Sequence, residues 1–200
     1  DYRKLVSSDN PLTVQELNAI RKEYGRMKNE NIFYVETPSN RDRIYATIRD
    51  FCDEFKTSKI VVSLDHTLLV AAKPGENEIQ ALAELGKMFI QVRKEFQTCN
   101  ILIGQMNDKI EGRERRDPTN PSLHYPSKTD IHGSKQIYHA ADVVMVLHQP
   151  ILLNIEHYGK KRFPTQDLVA LHCLKNRTGE AGLVRLKNNL SNGRFEDYCD

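Results

Sequence analysis

Three short groups of residues carry side chains whose type and spacing can do chemistry. The first is Asp65, which directly follows the apolar run Ile60-Val61-Val62-Ser63-Leu64. A carboxylate fixed at the end of a rigid buried strand is what a nucleotide hydrolase uses to hold Mg²⁺, often through water. The second is Gln105, which closes Ile101-Leu102-Ile103-Gly104. An uncharged amide there can donate to a phosphate and accept from water together, which suits sensing of a γ-phosphate. The third is Lys175-Asn176-Arg177. Cations at i and i+2 on a strand exit point the same way, and Arg offers a forked donor to phosphate oxygens, as an arginine finger does. Each has a plainer alternative, because acids, amides and cations also end strands where the chain simply leaves the core.

Two further features are weaker. Lys109-Ile110-Glu111-Gly112-Arg113-Glu114-Arg115-Arg116 mixes four cations with two acids and reads as a charged loop. Phosphate binding by it would show as salt-sensitive affinity. The seven histidines lack metal-ligand spacing, although His66 stands beside Asp65, so a metal site built from protein ligands alone is not expected.

Alternating helices and strands must position these groups. Thr13-Val14-Gln15-Glu16 is a capping box that opens a helix with Leu17, Ile20, Tyr24 and Met27 on one stripe. Ile32 to Val35 reads as a short strand, and Ser39 with Asp42 opens a helix with stripe Ile44, Ile48, Phe51 and Phe55. Ile60 to Asp65 and Ile101 to Gln105 read as strands buried on both faces, as in a parallel sheet. Between them lies a long helix with Ile79, Leu82, Leu85, Phe89, Val92 and Phe96. From Asn107 to about Lys135 the periodicity disappears and three prolines enter, the pattern of a functional loop. Val143 to Leu147 resumes the strand pattern, and Leu183 to Leu186 is a last strand. Ile151 to Ile155 and Leu168 to Leu174 flank Tyr158 to Arg162 and suggest a hairpin. The result is an α/β sheet, and in such sheets ligands sit beyond the carboxyl ends of the strands, where Asp65 and Gln105 fall.

Composition narrows the class. The 200 residues carry 29 Lys and Arg against 27 Asp and Glu, a net charge of +2, which argues against disorder and says little about nucleic acid. The length fits one domain. No stretch reaches the roughly 20 apolar residues of a membrane span, so a membrane partner is not expected. Cys52, Cys99, Cys173 and Cys199 are scattered, as reduced thiols of a cytoplasmic protein are.

The order of the blocks IVVSLDHTLLV (60–70), ILIGQMN (101–107), DIHGSKQIYHAADVVMVL (130–147) and LKNRTGEAG (174–182) resembles the motor domain of DnaB-type hexameric replicative DNA helicases, from about Tyr34 to Phe195. The resemblance implies a RecA-like P-loop NTPase core, a mostly parallel sheet with antiparallel carboxyl-terminal strands. It implies ATP and Mg²⁺ as cofactors, with Asp65 as the Walker B carboxylate and Gln105 as the sensor coupling phosphate to the DNA-facing loop after it. Lys175 and Arg177 would complete a neighbouring subunit's nucleotide site in trans, so a homo-oligomeric ring would be needed for hydrolysis. His132, Gly133, Ser134 and Lys135 fall on the family's central-channel loop that grips single-stranded DNA, with Arg113 and Arg116 as further DNA contacts. Primase and a helicase loader are partners the family implies.

Three departures from the family pattern stand out. No G-x-x-x-x-G-K-[ST] phosphate loop is present, and the upstream strand bearing the family's catalytic glutamate is missing. His132 stands where Arg is usual and Lys135 where Gly is usual. The match therefore covers the domain without its amino-terminal side, as in a partial, split or processed helicase, and these 200 residues alone are expected not to hydrolyse ATP. A non-catalytic ring or DNA-binding scaffold and a recombinase-like filament ATPase are the competing readings.

Overall fold

A computed structural model describes residues 3–6, 10–28, 30–37, 39–57, 59–132 and 135–198. The chain divides into two compact units, one of Asp1–Thr37 with Leu186–Asp200 and one of Pro38–Arg185.

The smaller unit begins with α1 (Arg3–Val6) and α2 (Val14–Met27). The capping box forms as the sequence predicts: Glu16 N–H donates to Thr13 Oγ1 at 3.2 Å and Thr13 N–H donates to Glu16 Oε2 at 2.8 Å. That backbone bond and the Lys4 ammonium hold the Glu16 carboxyl at about 2, well below its ordinary value. None of the helix's residues is buried, so its apolar stripe faces solvent. Ile32 to Val35 differ from expectation, because they belong to no strand. A short apolar run becomes a strand only where a neighbouring edge completes its ladder.

In the larger unit, α3 (Arg41–Phe55) is capped by the Asn40 side chain, one residue after the predicted Ser39. Strand β1 (Val61–Leu64), helix α4 (Glu78–Phe96) and strand β2 (Cys99–Leu102) follow. β1 and β2 pair in parallel, Val61 opposite Cys99 and Leu64 opposite Leu102. α3 and α4 cover one face of this pair: Ile48, Cys52, Leu82, Leu85, Met88, Phe89 and Val92 form the buried cluster, with Val62, Leu64 and Leu102 packed on it. Burial pushes the Cys52 thiol pKa up. The opposite face corrects the expectation of strands buried on both sides. Val61 is 66% exposed and Ile101 and Ile103 are also exposed, because the helices pack on one side of the strands only.

Residues 107–131 are not an open loop. They wind through four 3₁₀ turns, 108–111, 113–116, 121–124 and 128–130. Arg115 reaches inward from this segment to donate to Leu123 O, to Tyr125 O and, at 2.5 Å, to the fully buried Asp130 carboxylate. One member of the charged run is thus a structural clamp, since a buried carboxylate requires a paired cation.

Helix α5 (Lys135–Ala140) leads into β3 (Val143–His148). The apolar residues 151–153 lie in a 3₁₀ turn, and the predicted hairpin shrinks to β4 (His157–Tyr158) against β5 (Phe163–Pro164). The long run Leu168–Asn176 is instead β6, which pairs antiparallel with β3 from Val143–Asn176 to His148–Ala170. Next to β6 lies β7 (Gly182–Asn189), whose last four residues pair antiparallel with β8 (Arg194–Asp197) within the smaller unit.

Pairing of β3 with β6 gathers histidines that are far apart in sequence. The fully buried Tyr158 hydroxyl lies 2.7 Å from His148 Nδ1 and 2.7 Å from His172 Nε2, so it donates to one imidazole and accepts from the N–H of the other. His124, also buried, accepts from Gly159 N–H through Nδ1 at 3.1 Å. Burial pushes His148 and His172 down from 6.5 to about 4 and pushes the Tyr158 phenol up.

Leu85 has no exposed surface whereas Ile79 on the same helix is 59% exposed. Leu85→Ala therefore lowers unfolding free energy by about 2–5 kcal/mol, and Ile79→Ala by about 0.5 kcal/mol or less, measured by urea titration. The histidines give a pH dependence of definite sign. They are neutral in the fold down to about 4 but protonate near 6.5 when unfolded, so the unfolded state binds more protons between those values. Stability is complete above pH 6.5 and falls with acidification toward 4, by about 1.4 kcal/mol per pH unit for each histidine. His172→Leu makes that slope shallower in denaturation curves collected across this range.

Candidate nucleotide and DNA site

The parallel pairing places the carboxyl ends of β1 and β2 side by side. Beyond them, Ile103 N–H donates to Leu64 O at 3.0 Å and Thr67 N–H donates to Ile103 O at 2.9 Å. Asp65 leaves β1 and Gln105 leaves the extension of β2, and both are exposed. The structure thus brings the predicted metal carboxylate and the predicted sensor to one rim. Among the described residues no cluster of three or more His, Cys, Asp or Glu is placed to hold a metal ion.

Gln105 is tied to the predicted DNA loop through its backbone. His132 N–H donates to Gln105 O at 2.9 Å, and Met106 bridges Ile131 in antiparallel fashion. Asn107 extends the contact, donating its N–H to Asp130 O and its side-chain amide to Thr129 O, both at 2.7 Å. The His132 side chain turns to α4, where Nε2 lies 2.6 Å from Glu78 Oε1. Gly133 and Ser134 lie outside the described residues, as does the side chain of Lys135, which opens α5. Arg113 and Arg116 are in the second 3₁₀ turn, and Arg116 Nη2 donates to Glu111 O at 3.0 Å.

Lys175 and Arg177 are held against α5 and the start of β3. Lys175 Nζ donates to Tyr138 O at 2.9 Å and His139 O at 3.0 Å, and sits 5.4 Å from the centre of the Tyr138 ring. Tyr138 O–H donates to Leu174 O at 3.2 Å. Arg177 N–H donates to Asp142 O at 2.9 Å, and its guanidinium pairs with Asp142 Oδ1 at 2.5 Å. The other oxygen, Oδ2, accepts from Arg93 of α4. Arg93 chiefly, and Arg177 and Lys175 after it, hold the Asp142 carboxyl below its ordinary value.

Sequence reasoning misses Asp142, Arg93 and Glu78. Arg93 and Asp142 are 49 positions apart, and Glu78 and His132 are 54 apart, so neither pair leaves a local pattern. The one available signal is Asp142 itself, an acid set immediately before an apolar strand.

Comparison with known proteins fits this geometry. Two solved structures share the fold, that of RecA-like helicase ATPase domains. One, a solved ATPase domain, superposes with a TM-score of 0.80 at 17% identity over 99% of this chain and 66% of its own. The other, a DnaB-like replicative helicase described with its interactions with primase, gives 0.79 at 18% identity, over 98% of this chain and 44% of its own. The model of the DnaB-like helicase C terminal domain family matches residues 3–197, and the chain belongs to that family. It is 24% identical to the replicative DNA helicase DnaB of Haemophilus influenzae over 207 aligned residues, and 23% identical to a probable replicative DNA helicase of Trieres chinensis over 169. These matches cover 100% and 83% of this chain but span only 40% and 34% of those relatives.

Proposed function

We propose that these residues form the carboxyl-terminal part of an ATP-driven replicative helicase motor that works as a hexameric ring on single-stranded DNA. The observation that carries this reading is the backbone link between Gln105 and His132. It joins the rim that would face the γ-phosphate to the first residue of the loop that would face DNA. A change at one end then moves the other through hydrogen bonds rather than through solvent.

In this motor Asp65 holds Mg²⁺ through water. An exposed carboxylate at a fixed strand end suits an ion that keeps most of its waters and needs one or two carboxylates. When bound, the metal ion neutralises charge on the phosphates. Gln105 orients water or reports the γ-phosphate, and Lys175 with Arg177 stabilises transition-state charge in the neighbouring subunit's site. His132, Gly133, Ser134 and Lys135, with Arg113 and Arg116, contact the DNA backbone without reading bases. No G-x-x-x-x-G-K-[ST] phosphate loop occurs in these 200 residues, so this reading assigns them no phosphate cradle of their own. The solved helicase described with its interactions with primase makes primase a candidate partner here, and the family resemblance adds a helicase loader.

Two outcomes test the reading. In the complete motor with DNA, Arg177→Ala lowers DNA-stimulated ATP hydrolysis by about 10³-fold or more, and full activity would overturn the finger role. The purified 200-residue chain releases no phosphate from ATP above background, and turnover would show that the cradle is not needed from elsewhere.

A further inference from the structure

We propose that Asp142 is the positioning residue of Arg177, its carboxylate locked between Arg93 and Arg177 so that one edge of the Arg177 guanidinium is fixed and the rest is offered to phosphate. This rests on the reading of Arg177 as the trans-acting finger.

Each carboxylate oxygen has its own guanidinium, Oδ2 with Arg93 Nη1 and Oδ1 with Arg177 Nη1. A carboxylate held at one oxygen can swing about its bond to the chain, whereas one held at both cannot. Arg93 therefore braces the group that Arg177 leans on. Arg177 spends Nη1 on this bond, and a guanidinium carries five N–H donors, so a bidentate edge remains for an anion. The backbone is fixed as well, since Arg177 N–H donates to Asp142 O and Lys175 Nζ closes on Tyr138 O and His139 O. The tip is thus aimed by main chain and side chain together before any neighbour arrives. The side chains of Arg93, Asp142 and Arg177 are 39%, 42% and 52% exposed. Ion pairs so open to water add little to stability, which leaves orientation as what the arrangement achieves.

The test measures steady-state ATP hydrolysis and thermal unfolding of the complete motor with DNA. Asp142→Asn keeps the shape and the backbone carbonyl but removes the charge. Its kcat falls by about 10- to 100-fold, the scale of an ångström's misplacement, while KM for ATP stays within about twofold and the melting temperature is unchanged. Arg93→Gln, which removes only the brace, lowers kcat in the same direction. Asp142→Asn combined with Arg177→Ala is no worse than Arg177→Ala alone, as expected of groups acting as one, and Asp142→Glu recovers part of the activity. If Arg177→Ala abolishes turnover while Asp142→Asn and Arg93→Gln leave kcat untouched or raise it, Asp142 does not position the finger, although the finger stands. Additive losses in the double variant also overturn the proposal. If Arg177→Ala itself is fully active, the finger reading fails first and this inference falls with it.

Discussion

Parallel pairing of β1 with β2 is the constraint from which the rest of the larger unit follows. Two parallel neighbours cannot be joined by a tight turn, so the chain must cross over one face and return. Helix α4 makes that crossing and buries Leu82, Leu85, Phe89 and Val92 against α3 and the strands. Once it is seated, both of its ends are committed. Glu78 in the first turn lies beside His132, and Arg93 in the last turn lies beside Asp142. The same pairing sets Asp65 and Gln105 on one rim. A single packing solution thus fixes the proposed phosphate end, DNA end and intersubunit end together.

What is legible in the sequence is what periodicity encodes. α3, α4, β1, β2 and β3 are readable because apolar spacing reports the face a segment buries, and Thr13 with Glu16 marks the start of α2 by its capping chemistry. The positions of Asp65 and Gln105 are readable because they follow such segments, whereas Lys175 and Arg177 are marked only by their spacing at the end of β6. The 107–131 stretch is opaque for the opposite reason. Its order comes from single interactions, Arg115 on Asp130 and two carbonyls, Asn107 on Asp130 and Thr129, which have no period. The histidines around Tyr158 are hidden in the same way, since only the β3–β6 register brings His148 and His172 to one hydroxyl. Ile32 to Val35 misleads because local β propensity cannot supply a partner edge.

The departures from the family pattern take on meaning in this geometry. His132, where the resemblance leads one to expect Arg, places an imidazole at the start of the proposed DNA loop, and Glu78 engages that imidazole. His132 is therefore joined to α4 through its side chain and to Gln105 through its backbone. The Lys-x-Arg turn shows the converse arrangement. There the two side chains supply the charge, and the carbonyls and the carboxylate around them supply the direction.

The outward faces of the strands bear on how the chain behaves as a solute. Val61, Ile101 and Ile103 beside the core, and Val143, Met145 and Leu147 on β3, present apolar side chains to water. A body that covers this surface and has no affinity for the unfolded chain adds to stability in proportion to the logarithm of its concentration once that exceeds its dissociation constant. The apparent melting point of these residues is consequently a property of what surrounds them as well as of their own packing.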